Sequence, residues 1–86
     1  MKPLERIFFQ ACIMKRDFMS VREIINIFSD LGFPINQLWY YLSKWGNIGF
    51  YDYGVTEDLG WFEPDKFTAE YKVMYEKILK LKEGAE

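Results

Sequence analysis

Two short amphipathic helices joined by a glycine-containing turn, a hairpin pattern directly after them, and a helical pattern on either side predict an α+β fold. The class is the winged helix-turn-helix: three helices, a small antiparallel β-hairpin wing and a C-terminal helix. The chain of 86 residues makes one domain, 1–86, with the last helix placed at 65–83.

The first helix opens at Lys2-Pro3-Leu4, because proline near a helix start loses no hydrogen bond. Leu4, Ile7, Phe8, Ala11 and Met14 form one stripe, with Phe9, Cys12 and Ile13 apolar on its flank. A helix apolar around most of its girth is either central or shared with another chain. Lys15-Arg16-Asp17 ends it, and Phe18-Met19-Ser20 reads as an extended link where a third strand can pair.

Ser20 followed by Glu23 is a capping-box start, and Ile24, Ile25, Phe28 and Leu31 give the next helix its stripe. Gly32 suits the left-handed position after that helix, and Pro34 opens the next one. Ile35, Leu38, Trp39, Leu42 and Trp45 lie on one face of this second motif helix, which Gly46-Asn47 closes. Ile48-Gly49-Phe50 leads into a strand pattern over 50–53, a polar turn over 54–58, and a second strand pattern over 59–63.

Glu63-Pro64-Asp65 begins the last helix, with acidic side chains at its positive end. Phe67, Tyr71, Met74, Ile78 and Leu81 then keep the heptad seam of a coiled coil. The small body of the domain covers only the first turns of that seam, which predicts a homodimer, with Phe9 and Ile13 as a second apolar surface. Burying each Leu- or Ile-sized side chain is worth ~1.5–3 kcal/mol. The competing arrangement folds this helix back into the monomer's own core.

Half of the residues are hydrophobic and 20% are aromatic, which implies either an interface or a core of unusually large side chains. The single cysteine, Cys12, excludes an internal disulfide and sits in an apolar run where a buried, inert thiol is expected. With no secretory leader and no apolar run of membrane-spanning length, the expectation is a soluble cytoplasmic protein without a membrane partner. Net charge is −2, unevenly distributed: residues 45–65 contain no Lys or Arg, but do contain Asp52, Glu57, Asp58, Glu63 and Asp65.

In the groove-reading position of the motif, the outward residues of the second helix are Asn36, Gln37, Tyr40, Tyr41, Ser43 and Lys44. Asn and Gln suit adenine edges, and Lys44 suits a phosphate or a guanine. Arg22, in the first turn of the preceding helix, is placed for a phosphate, with Lys15 and Arg16 as further backbone contacts. The plainer reading of the same residues is a solvated helix face. The acidic set matches no calcium loop and reads as a solvated wing tip, so neither metal nor cofactor is expected. Without histidine or a glycine-rich phosphate loop, the chain reads as a non-enzyme.

The string Gln37 to Tyr51, QLWYYLSKWGNIGFY, resembles the recognition-helix region of PadR-like winged-helix regulators. That family's pattern is a Leu with an aromatic after it, a Leu four residues on, a large apolar residue three later, then Gly and two apolar residues opening the wing. Leu38, Trp39, Leu42, Trp45, Gly49, Phe50 and Tyr51 occupy those places, and Glu23-Ile24 resembles the pair opening the preceding helix. The resemblance implies double-stranded DNA as partner and dimerisation through the C-terminal helix. Two departures stand against it: the family's wing is rich in Arg and Lys, and its Gly-Tyr pair before the second helix is replaced by Phe18-Met19-Ser20.

The function expected is therefore a homodimeric DNA-binding transcriptional regulator. The alternative is a winged-helix adaptor, of phage or mobile-element type, that binds another protein through Tyr40, Tyr41, Tyr51, Tyr53, Trp61 and the acidic wing without binding DNA. Of these aromatics, Trp61 is the one most suited to core packing.

Overall fold

Helix α1 runs over Pro3–Lys15, α2 over Val21–Asp30 and α3 over Ile35–Ile48. Strands β1, Tyr51–Asp52, and β2, Trp61–Phe62, follow, then a 3-10 turn at Pro64–Lys66 and helix α4 over Ala69–Gly84. The computed structural model describes residues 1–15, 18–52 and 60–84. It is an α+β arrangement of four helices and one two-stranded antiparallel sheet, compatible with a winged-helix layout. The polar turn at 54–58 lies outside the described residues, as do Arg16 and Tyr53.

Local signals set the helix-turn-helix. The Ser20 hydroxyl accepts the Glu23 N–H at 3.1 Å and donates to the Glu23 carboxylate at 3.3 Å, holding the first turn of α2. Gly32, at φ +95°, takes the left-handed position after α2, and Phe33 N–H returns to the Phe28 carbonyl at 3.0 Å. Helix α3 does not stop at Gly46-Asn47. It continues to Ile48 and ends where Gly49 adopts φ +112°. An internal glycine costs a helix only ~1 kcal/mol, less than the anchoring of Trp45 and Phe50, both fully buried, on either side of this stretch.

Trp45, Phe9 and Phe50 are hubs of the core. The Trp45 ring stacks on Phe8 at 5.5 Å and meets Phe9, Phe50 and Phe62 at 5.4, 6.1 and 5.8 Å. Phe9 in turn meets Phe67 at 5.6 Å and Tyr71 at 5.4 Å, so α1 lies between the helix-turn-helix and α4. Edge-on and offset ring pairs of this kind add ~0.5–1.5 kcal/mol each beyond area burial. Most of the aromatic surplus is thus core.

Several faces differ from the expected stripes. The buried side of α1 is Glu5, Phe8, Phe9, Cys12 and Ile13: the flank residues Phe9, Cys12 and Ile13 join Phe8 of the predicted stripe, whose Leu4, Ala11 and Met14 are half-buried and whose Ile7 is exposed. Leu31 and Ile35 also face solvent, because each sits at an end of the α2–α3 turn, beyond the packed part of its helix. Phe18 to Ser20 form a turn and bend rather than a third strand. In the sheet, Tyr51 pairs with Phe62 and Asp52 with Trp61. Strand alternation therefore turns Phe62 inward and Trp61 outward, so Trp61 is not a core residue.

The last helix begins later than expected. Phe67 is extended, at φ −63° and ψ 133°, because its ring is drawn into the core against Phe50 at 4.8 Å. Helix α4 starts two residues on and packs along α1. Phe67, Tyr71 and Ile78 are buried in the monomer, Met74 is half-buried, and only Leu81 of the predicted seam is exposed. Heptad spacing is the same whether the apolar stripe is covered by the chain's own α1 or by a partner. Here α1 covers most of it. Among the described residues, no helix is long and apolar enough to cross a membrane.

Candidate functional site

The outer face of α3 is set by its inner one. Leu38, Leu42 and Trp45 are fully buried, so the opposite stripe, Asn36, Tyr40, Ser43 and Asn47, points to solvent at spacings of about one helical turn. Asn36, Tyr40 and Ser43 therefore lie where the sequence places them, and Gln37 is half-buried beside them. Asn47 also belongs to this stripe, continuing the 36-40-43 spacing past the point where Gly46-Asn47 is expected to end the helix. Arg22 is exposed in the first turn of α2.

Tyr41 and Lys44 do not belong to this outward stripe. Tyr41 is buried, its ring stacked over Trp45 at 6.4 Å, so the expectation that it faces outward is corrected. Lys44 turns inward and is half-buried. Its ammonium donates to both oxygens of the Glu5 carboxylate, at 3.0 and 3.2 Å.

Glu5 is the group that sequence reasoning passed over. Only 1% exposed, it is the one buried charged side chain among the described residues. Besides Lys44, it accepts the Trp45 indole N–H at 2.9 Å and the Tyr71 hydroxyl at 2.6 Å, joining α1, α3 and α4. Burial pushes its carboxyl up, but the hydrogen bonds from Tyr71, Trp45 and Lys44 outweigh burial, and the pKa lies below 4.5. The same contact raises Lys44, against burial, while burial first and then Glu5 raise Tyr71. The signal was available: Glu5 occupies the same helical face as Phe8, Phe9 and Cys12, where a carboxylate needs partners.

Around Lys44, residues Gln37, Tyr40 and Tyr41 of α3 and Met1, Lys2 and Glu5 of the chain start line a cleft of about 410 Å³. A second cleft, between Ser43, Gly46 and Asn47 of α3 and Tyr51 and Asp52 of β1, continues the same side toward the hairpin. No group of three or more carboxylate, histidine or cysteine side chains comes together among the described residues. Cys12 is fully buried, and burial pushes its thiol well above the ordinary range.

A comparison with protein-family models, with curated proteins and with solved structures finds no match to this chain.

Proposed function

We propose that this chain is a winged-helix type of protein-interaction module, non-enzymatic and cytoplasmic, that engages another protein with the outer face of α3 and the adjoining hairpin. One observation carries the reading: Lys44, the only cation on α3, is bound to an internal carboxylate. A phosphate approaching Lys44 meets the Glu5 charge behind it, and phosphate neutralisation supplies most of the affinity of a DNA-binding face. The outward stripe is uncharged, and the segment that follows it, through residue 65, contains no Lys or Arg. The exposed aromatics there, Tyr40 and Trp61, are residue types that anchor protein interfaces.

Asn36, Ser43 and Asn47 on one stripe favour a second reading, the PadR-like homodimeric regulator of double-stranded DNA. In that reading Asn36, Gln37, Tyr40 and Ser43 meet base edges and Arg22 meets a phosphate.

Two measurements separate the readings. Labelled random-sequence duplex, titrated at low salt, is expected to show no saturable binding. A photo-cross-linking residue at position 40 is expected to form a discrete adduct with one protein in native cells, and the same residue at position 26, exposed on α2, is not. Saturable, steeply salt-dependent duplex binding that Gln37→Ala weakens for the preferred site would overturn the module and establish the regulator.

A further inference from the structure

The groove between α1 and α4 is a surface that the α3 face does not reach. Its floor is Met74 and Ile78, and its open wall is Val73 and Leu81, which are 53% and 56% exposed. Its volume is about 470 Å³. Met74, Ile78 and Leu81 follow one another at single-turn spacing with Val73 beside them, so the apolar strip from 73 to 81 runs ~12 Å along the helix, about two turns. Two exposed cations line it, Arg6 from α1 and Lys77 from α4. Neither makes an ion pair with a described residue. The one carboxylate on the groove, Glu70, is already paired at 2.9 Å with the Met1 ammonium.

We infer that the α1–α4 groove is a docking site for an acidic amphipathic helix of another protein, with the partner's apolar residues seated on Val73, Met74 and Leu81 and its carboxylates on Arg6 and Lys77. The charge pattern selects this occupant. A helix laid in a groove reads its partner through apolar residues at single-turn spacing, and flanking charges fix its sign and direction. A second copy of this chain suits the site less well. Two-fold pairing of the groove would bring the Arg6 and Lys77 of both chains together, with only the already paired Glu70 side chains to offset them.

The test uses the full chain and three labelled synthetic helices of about 15 residues, near the length at which a helix holds in water. One has Leu at helical spacing with flanking Glu, one replaces each Glu by Lys, and one replaces each Leu by Ser. Fluorescence anisotropy is expected to show saturable binding of the acidic helix, binding of the Lys helix weaker by about tenfold or more, and none of the Ser helix. Leu81→Asp, at an exposed position, should abolish binding while leaving the circular dichroism melt unchanged. Arg6→Glu with Lys77→Glu should reverse the preference to the Lys helix. Absence of saturable binding by the acidic helix, or equal binding of both charge types, overturns the inference. So does a dimer in sedimentation that Leu81→Asp converts to a folded monomer, because the groove is then covered by a second copy. Duplex binding at the α3 face neither requires nor excludes any of these results.

Discussion

The Trp45 indole N–H and the Glu5 carboxylate meet at 2.9 Å in the interior, where the largest ring of the core donates to the one buried charge among the described residues. Burial pushes this carboxyl up, and the hydrogen bonds from Tyr71, Trp45 and Lys44 together bring it below its ordinary value. It also fixes how α1 sits on α3. Replacing Glu5 by Ala would leave the Trp45 N–H and the Tyr71 hydroxyl without their acceptor and Lys44 without its counter-charge. The expected loss is about 2–4 kcal/mol, set mainly by two buried donors left unpaired at ~1–3 kcal/mol each, because the half-exposed Lys44 can turn to water. Urea unfolding, followed by tryptophan fluorescence, measures it. A loss below ~1 kcal/mol would mean that solvent replaces the carboxylate, and that the interior there is wetter than its burial implies.

The same group sets an acid limit on stability. Its folded pKa lies below the ordinary 4.5, so its contribution is present above pH 4.5 and is lost as pH falls through the folded value. Lys44 is raised from 10.5 and Tyr71 from 10.0, so their contributions are full below those values and are lost as pH rises through the folded ones. The melting-temperature gap between the wild type and Glu5→Gln should therefore be widest around neutrality and narrow at both extremes. A gap that is constant from pH 3 to pH 7 would show that the stability lost in Glu5→Gln does not depend on the Glu5 charge.

Gly60 is held small by its neighbour. A methyl group built there would fall on the hydroxyl and ring of Tyr51. Gly60→Ala is expected to cost about 1–3 kcal/mol through overpacking. Tyr51→Phe in the same chain should restore part of this, because the hydroxyl is the nearest atom. No recovery in the double variant would place the obstruction in the ring alone.

The two residues of β2 should behave oppositely. Phe62→Ala removes a buried ring and should cost about 3–5 kcal/mol, whereas Trp61→Ala, at a half-exposed position, should stay within about 0.5 kcal/mol. Denaturant midpoints of the two variants decide. Equal costs would require a different facing of the strand.

How far this fold could be read in the residues depended on the range of the interaction that decided each element. The start of α2 at Ser20 and its end at Gly32 are settled within a few residues and were legible. The buried side of α1 was not, because a helix apolar nearly all round has no unique stripe, and packing against Trp45 and Tyr71 chose the side. The seam on α4 was read correctly as apolar and wrongly as open. Spacing alone does not say whether Ile78 is covered by its own chain or by another. At the α3 face, Asn36, Tyr40 and Ser43 were legible from helical period. Lys44 was not, since its direction is set by a glutamate 39 positions earlier.

The Tyr71 hydroxyl and the Glu5 carboxylate that it binds are 66 positions apart in the chain. Contacts between such distant segments form only after a long loop has closed, and proteins rich in them fold slowly. The α2–α3 unit, by contrast, assembles from neighbours. The joining of α1 to α4 is thus expected to come late in folding, which a φ-value near zero for Glu5→Ala would show. Interactions of that kind leave the refolding rate nearly untouched and act on the rate at which the native chain comes apart. Loss of the carboxylate on α1 is therefore expected to shorten the lifetime of the folded state more than it slows the reaching of it.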